Sequence, residues 1–365
     1  MLRPLYIVGT QRDVGKTTLC IGLIDVLRRR GLRVGYTKPL GQRVATVEGR
    51  PIHDDARLIS SFLALGEHEQ VPTAIPLPSG RVEKEVRDLD SSELGAKVVE
   101  TFEAVVGEHD VIIIEGMGHV AMGSCLGLSS AEVARRLNAV ALLVTGGGIG
   151  RTLDDIALCS TFITARGADL MGVVINKVWP EKYRRVREAT AGGLKNYGMT
   201  GYGVVPFEQQ LASPTMQQIH DRIGGEILSG PEAMTNRVHN TIIAAMEPSH
   251  MVGYLEESTL IIAPGDRSDN ILASLSAHTF GRRGRSPVAG LILTGGFRPD
   301  GVLIRFMSEA RLPVVLVRQD TYSVASRLHE SIFKITPEDQ QRIDAAVCMV
   351  SEYIDVDGIL KALEA

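Results

Sequence analysis

Apolar runs of strand length alternate along this chain with stretches in which apolar residues recur every three or four positions. This alternation is the signature of βαβ units around a parallel sheet, whose strands are buried on both faces and so read as unbroken apolar runs. The pattern predicts strands near Leu5–Gly9, Arg33–Thr37, Val111–Glu115, Ala139–Thr145, Leu170–Asn176 and Gly201–Val205. Helices are predicted over Lys16–Arg30, where Leu19, Leu23, Val26 and Leu27 form one stripe, and over Ser91–Val106, Ser130–Leu137, Thr152–Ala165 and Glu181–Tyr197. Gly66–Arg87, with Pro72, Pro76 and Pro78, breaks the rhythm and reads as a lid or an insertion.

The rhythm pauses at Phe207–Pro214, the expected domain boundary, and then restarts. Strands are predicted at Leu260–Ala263, Val288–Leu293 and Val314–Val317, with helices at Ser268–His278, Asp300–Glu309 and Thr321–Glu330. Thr336-Pro337-Glu338-Asp339 combines an N-cap, a proline for the first turn and two acids for the positive helix end, so a C-terminal helical hairpin is expected to follow. The expected organisation is an α/β domain over residues 1–210, a smaller α/β domain over 211–335, and a helical tail over 336–365.

A length of 365 residues agrees with two domains at roughly 150 residues each. The formal net charge of −4 leaves no global positive field for a polyanion, and with only 5% aromatic residues stacking platforms are few, so nucleic-acid binding is not expected. Cys20, Cys125, Cys159 and Cys348 stand far apart with no CxxC, so they are expected to be buried free thiols and to form neither a zinc site nor a disulfide framework. No apolar run approaches the roughly 18 residues that span a bilayer, and Met1–Gly9 lacks the parts of a leader peptide. The expected location is the cytoplasm, with no membrane partner.

The sharpest chemical feature is Gly9-Thr10-Gln11-Arg12-Asp13-Val14-Gly15-Lys16-Thr17-Thr18, between the first strand and the first helix. A phosphate needs convergent N–H donors, a cation and a helix N-terminus, and a loop ending in Gly-Lys-Thr supplies all three plus a hydroxyl for Mg²⁺. Gly9 and Gly15 enclose five residues instead of the usual four. The alternative is an ordinary strand–turn–helix connection. A Mg²⁺-nucleotide site also needs carboxylates at neighbouring strand ends. Glu115, closing Val111–Glu115 ahead of Gly116-Met117-Gly118, is one candidate; Asp54-Asp55, opening a helix, is another, or else only a favourable helix-end charge. Lys38-Pro39 would emerge at the same sheet edge, where open α/β sheets bind ligands, unless Lys38 is merely solvated. Asn176 ends a strand as either a turn former or a group for a purine edge. Gly146-Gly147-Gly148-Ile149-Gly150-Arg151 forms a second glycine loop, which by itself needs no ligand.

Together, Gly9–Thr18, Lys38-Pro39, Asp55-Ala56, Glu115-Gly116 and Asn176 resemble dethiobiotin synthetase, whose loop has the same five-residue interval. The resemblance covers about the first 205 residues. It implies a mostly parallel-sheet P-loop NTPase domain in which Thr10, Gln11, Arg12, Asp13, Val14, Gly15, Lys16, Thr17 and Thr18 hold the ATP phosphates. It further implies that Thr17, Asp55 and Glu115 hold Mg²⁺, that Lys16 and Lys38 act on the phosphoryl group, and that Asn176 reads the base. The family's Asp-Thr is Gln11-Arg12 here, its Gly-Ala-Gly-Gly is Gly116-Met117-Gly118-His119, and the serine expected after Lys38-Pro39 is replaced by Gln42. These departures fall on positions that, by the resemblance, face the carboxylation substrate in the synthetase.

Leu260–Asp269 and Gly290–Gly296, followed by Leu312-Pro313-Val314 and Asp320-Thr321-Tyr322, look like a DRTGG domain over about Asp221–His329. There Gly265, Asp266, Thr294 and Gly295 would form a crevice at the strand ends for a second small ligand, unless they are tight βα turns. Arg282, Arg283 and Arg285 read as a solvated turn or a contact for an anion or an acidic partner. The pairing resembles the N-terminal regulatory half of long phosphotransacetylases, and the expectation is a stand-alone relative of that half without the acetyltransferase domain. The implied function is that of a homodimeric Mg-ATP-binding regulator or sensor. The alternative is an ATP-dependent synthase that activates a carboxylate, as dethiobiotin synthetase and cobyrinic acid a,c-diamide synthase do.

Overall fold

The computed structural model describes residues 2–41, 44–47, 50–64, 75–76, 91–107, 109–281 and 287–364. It divides into unit 1, Met1–Glu208 with Ile335–Ala365, and unit 2, Gln209–Lys334. Gln42, most of the expected insertion Gly66–Arg87, and Arg282, Arg283 and Arg285 lie outside the described residues.

In unit 1, β1 (Leu5–Gly9), α1 (Lys16–Arg29) and β2 (Val34–Thr37) open the fold. Short strands β3 (Leu40–Gly41), β4 (Val44–Val47) and β5 (Arg50–His53) follow, then α2 (Asp54–Phe62), β6 (Ile75–Pro76) and α3 (Ser91–Val106). After these come β7 (Val111–Glu115), α4 (Ser130–Arg136), β8 (Val140–Gly146), α5 (Gly150–Ala165), β9 (Asp169–Val178), α6 (Tyr183–Asn196) and β10 (Gly201–Pro206). Six strands pair in the order β10-β9-β8-β1-β7-β2, every pair parallel. Both faces are covered, which is why the strands read as continuous apolar runs. Tyr6, Val8, Ile112, Ile114, Ala141 and Leu143 share one core with α3 to α6. Their neighbours Leu5, Ile7, Val111 and Ile113 are equally buried but are not in that cluster, as alternation along a strand requires.

Two local features went beyond the hydrophobic pattern. The hairpin of β4 and β5 is antiparallel, with Val44 opposite His53. It leads into α2, where His53 Nδ1 accepts from the Asp55 amide at 3.1 Å as the N-cap. The C-terminal tail is not a separate body: α13 (Gln340–Tyr353) and α14 (Val356–Glu364) belong to unit 1. α13 lies against α1 at Gly22, where a Cβ would stand 2.3 Å from Val350 and 2.7 Å from the Ala346 carbonyl. The Asp355 amide donates to Tyr202 O on β10 at 2.8 Å. The expected cap is displaced. Thr336 closes a turn by accepting from the Asp339 amide at 3.0 Å, and Asp339 is the residue whose side chain caps α13, accepting from the Arg342 amide. A carboxylate directly before the first helical residue outcompetes a hydroxyl one turn earlier.

Unit 2 contains α7 (Gln209–Ala212), α8 (Met216–Ile223), β11 (Glu226–Ser229), β12 (Asn240–Ile243), α9 (Pro248–Met251), β13 (Thr259–Pro264) and α10 (Ser268–Thr279). β14 (Val288–Thr294), α11 (Gly301–Glu309), β15 (Val314–Leu316) and α12 (Thr321–His329) complete it. Its sheet runs β11-β15-β14-β13-β12, parallel except for β11, which is antiparallel to β15. The three central strands are those the apolar runs predict. The two edge strands, Glu226–Ser229 and Asn240–Ile243, are short and half polar, as edge strands commonly are, and leave no such signal.

Cys20 and Cys159 are buried, whereas Cys125 and Cys348 are exposed, which corrects the expectation of four buried thiols. Among the described residues no helix is long and apolar enough to cross a membrane.

Candidate nucleotide site

The loop Gly9–Thr18 leaves the C-terminal end of the central strand β1 and enters α1. Its additional residue is accommodated by two left-handed positions, Asp13 at φ 59° and Gly15 at φ 99°. Gly15 is also the place of closest approach, because a Cβ there would stand 2.2 Å from the Asn176 amide nitrogen. No side chain caps α1, so its first amides keep their donor capacity, and Arg28 and Arg29 complement the other end of the helix dipole. Gln11, Arg12 and Asp13 are exposed at the tip, and Val14 is buried beneath it.

The loop is braced from its neighbours. The Thr10 hydroxyl donates to Thr145 Oγ1 at 3.2 Å, and the Thr10 amide to Val144 O at 3.0 Å, both on β8. From β9, Asn176 Nδ2 donates to Val14 O at 2.8 Å while its Oδ1 accepts from the Lys177 amide at 2.9 Å. Asn176 is 4% exposed. The amide that the resemblance assigns to a base is therefore engaged in holding the loop. Lys177, which the sequence reading did not single out, donates to Asp13 O at 2.5 Å. Burial lowers its pKa, an effect that the Asp13 charge opposes. Thr18 lies in the first turn of α1 and is half-buried.

Behind the loop, four charged side chains are buried together. Lys16 Nζ donates to Gly118 O at 2.8 Å and to Gln11 O at 3.4 Å. Burial pulls its pKa down to about 8, with Glu115 opposing the fall. Glu115 Oε1 accepts from Thr17 Oγ1 at 2.9 Å and from Lys38 Nζ at 2.6 Å, and its Oε2 accepts from Tyr36 Oη at 2.8 Å. Lys38 also donates to Asp55. Burial alone would lower the Lys38 pKa, but Asp55 and Glu115 more than offset it and hold the ammonium above its ordinary range. Burial raises the Tyr36 phenol, and the Glu115 charge adds to the rise. Asp54, the other acid at the start of α2, is exposed, so of the two only Asp55 joins the buried cluster.

Strand register explains the convergence. Thr37 pairs with Ile114, so the next residues, Lys38 and Glu115, fall side by side. Tyr36 lies two residues before Lys38, on the same face of the extended chain. That spacing is the sequence signal by which Tyr36 was open to detection. Gly116 completes the arrangement, since a Cβ there would stand 2.9 Å from Tyr6. Among the described residues no group of three or more His, Cys, Asp and Glu is placed to hold a metal. The hard oxygen donors Thr17, Asp55 and Glu115 still suit Mg²⁺, which usually takes one or two carboxylates and fills its shell with water and phosphate.

The crevice expected at the strand ends of unit 2 falls on hydrogen-bonded turns. The Gly265, Gly295 and Gly296 amides donate to the carbonyls of Thr294, Gln319 and Val317 at 3.0, 2.8 and 2.9 Å. Buried Thr294 shares a hydrogen bond with Thr321 at 2.7 Å, and Asp266 is exposed. These amides are satisfied across neighbouring strand ends, Gly265 by the end of β14 and Gly295 and Gly296 by the connection after β15, and Gly295 and Gly296 serve the turn geometry at φ 81° and 71°.

Comparison with known proteins gives the family of the chain. A family model described as an AAA domain matches residues 3–215, and one described as a DRTGG domain matches residues 218–331. The chain is similar to the phosphate acetyltransferase of Pseudomonas putida, 26% identical over 97% of this chain and 51% of that protein. It therefore spans about half the length of that curated relative. Among solved structures, the CBS and DRTGG domains of the regulatory region of a Clostridium perfringens pyrophosphatase, complexed with diadenosine tetraphosphate, align at 20% identity. They cover 36% of this chain and 50% of that one, with a TM-score of 0.28. The septum site-determining protein MinD of Pyrococcus horikoshii, complexed with Mg-ADP, aligns at 18% identity over 58% of this chain and 84% of that one, with a TM-score of 0.36. The P-loop domain and the DRTGG domain expected from the residues are thus both present, and the chain belongs to the AAA-domain family over residues 3–215, joined to a DRTGG domain over residues 218–331.

Proposed function

We propose that this chain is a nucleotide-responsive regulatory protein that binds Mg-ATP at Gly9–Thr18. The observation that carries this reading is the burial of Lys16, Lys38, Asp55 and Glu115 in one cluster directly behind an uncapped helix N-terminus. Buried charge of this kind is maintained where a ligand needs it, because it contributes little stability by itself. The kinship with phosphate acetyltransferases supports a role in controlling such an enzyme's reaction, with the DRTGG domain as the reporting element.

In this reading the amides of Val14 to Thr18 and the Lys16 ammonium take the phosphates, and Lys16 exchanges Gly118 O and Gln11 O for phosphate oxygens. Thr17, Asp55 and Glu115 would hold Mg²⁺, which, when bound, supplies charge neutralisation across the phosphates. Lys38 meets the terminal phosphate. Asn176 and Lys177 keep the loop in its binding shape. If nucleotide changes the affinity of the DRTGG domain for a partner or a second copy of the chain, the partner changes nucleotide affinity by the same factor.

Calorimetric titration of ATP, with and without Mg²⁺, tests the binding. The native chain is expected to bind ATP, more tightly with Mg²⁺. Lys16→Ala is expected to weaken binding roughly 10- to 100-fold, the scale of losing a charged hydrogen bond. Absence of ATP binding to the native chain rejects the proposal. ADP release that depends on an added carboxylic acid would replace regulation with carboxylate activation, whereas slow release indifferent to the acid supports regulation.

A further inference from the structure

The carboxylates suited to a divalent cation are already joined by a cation of the chain's own. Lys38 Nζ lies 2.6 Å from Glu115 Oε1 and also contacts Asp55, while Thr17 Oγ1 meets the same Glu115 oxygen at 2.9 Å. The ammonium thus stands where the hydroxyl and the two acids converge, and Lys38 is only 4% exposed. Tyr36 holds the second Glu115 oxygen at 2.8 Å, so the carboxylate is fixed in this orientation. A divalent ion in contact with both acids would sit against the ammonium, and in such a buried setting like charges repel far more strongly than in water.

We propose that Lys38 is an internal counter-cation: it keeps free divalent metal out of the Thr17–Asp55–Glu115 cluster and releases the cluster only when the phosphates of a nucleotide accept the ammonium. This inference rests on the reading of the cluster as the metal site of the proposed function. Three features of the structure support the exchange. Lys38 follows β2 at the C-terminal edge of the sheet, the edge from which the phosphate loop leaves β1. A lysine carries its charge on a flexible four-carbon stem, so the ammonium can turn without moving the backbone. Asp55 and Glu115 balance Lys16 and Lys38 in charge, so a metal without phosphates would leave the buried cluster positive, whereas phosphates arriving with it offset that positive charge.

Mn²⁺, read by its electron paramagnetic resonance signal, is the probe, and circular dichroism verifies the fold of each variant. Without nucleotide the native chain is expected to leave Mn²⁺ free, and with ATP to bind it. Lys38→Met, which keeps the stem and removes the charge, is expected to bind Mn²⁺ without nucleotide at least about 100-fold more tightly than the native chain, as removal of an adjacent buried positive charge predicts. Adding Glu115→Gln should abolish that gain. Lys38→Gln is the second neutral variant should Lys38→Met fail to fold. Folded neutral variants that bind free Mn²⁺ no better than the native chain overturn the proposal. So does a native chain that binds Mn²⁺ equally well with and without ATP, and this measurement needs no variant. Failure of the native chain to bind ATP at all is a different result, and it removes the proposed function itself.

Discussion

Lys16 shows how a single buried side chain couples chemistry to pH. Burial depresses its pKa to about 8, with Glu115 opposing, whereas an unfolded lysine titrates near 10.4. Between those values the folded chain holds fewer protons than the unfolded one, so its stability rises with pH across that window. The penalty of the buried charge is fully present only below about pH 8. Phosphate favours the ammonium. Nucleotide binding is therefore expected to take up almost no proton near pH 7 and to approach one proton near pH 9. Calorimetry in buffers of different ionisation enthalpy measures this uptake, and equal uptake at both pH values would argue against a phosphate contact by Lys16. The identities of Lys16, Thr17 and Glu115 were legible in the sequence because a loop motif and a strand end are local features. The engagement of Asn176 with Val14 O was not, since it depends on how β9 passes the loop.

At the scale of elements, α1 was legible to within one residue, the expected Lys16–Arg30 ending at Arg29, but not in its second partner. Its apolar residues exceed the single stripe needed to cover the sheet, and Gly22 lies where α13 passes, with Val350 and Ala346 O inside the reach of a Cβ. Gly22→Ala is expected to destabilise the chain by about 1–3 kcal/mol, because the backbone carbonyl on α13 can yield only if the helix moves. Gly192→Ala, on α6, meets nothing within 4 Å. It is expected to stabilise the chain by about 0.5–1 kcal/mol through helix propensity alone. Urea unfolding of both variants checks the opposite signs. Two stabilising or two neutral results would mean that α13 does not press on α1.

For the whole molecule, the assignment of residues 335–365 to unit 1 is the largest departure from a reading in sequence order. Ile343, Ala346, Met349 and Val350 of α13, with Val356, Ile359 and Leu363 of α14, are buried there. Each large aliphatic side chain of this set contributes about 1.5–3 kcal/mol when fully buried. Truncation after Lys334 is therefore expected to unfold unit 1, or to leave it open to proteolysis, while the amides of β13 and β14 in unit 2 keep their protection from hydrogen exchange. Unchanged melting of unit 1 in the truncated chain would contradict the packing.

The sequence by itself determined the parallel central strands, the phosphate loop and the succession of a P-loop domain and a DRTGG domain. Each of these is written in contiguous residues through periodicity, turn chemistry or a short motif. Only the tertiary structure decided that Lys38 stands between Asp55 and Glu115, that Asn176 and Lys177 brace the loop, that the glycine amides of unit 2 are satisfied by neighbouring strand ends, and that the tail returns to α1. Lys38 is 17 residues from Asp55 and 77 from Glu115, and their meeting follows from the pairing of Thr37 with Ile114 and from the hairpin that delivers Asp55. Strand register and long-range packing create such contacts, and neither leaves a periodic trace in the residues on which it acts.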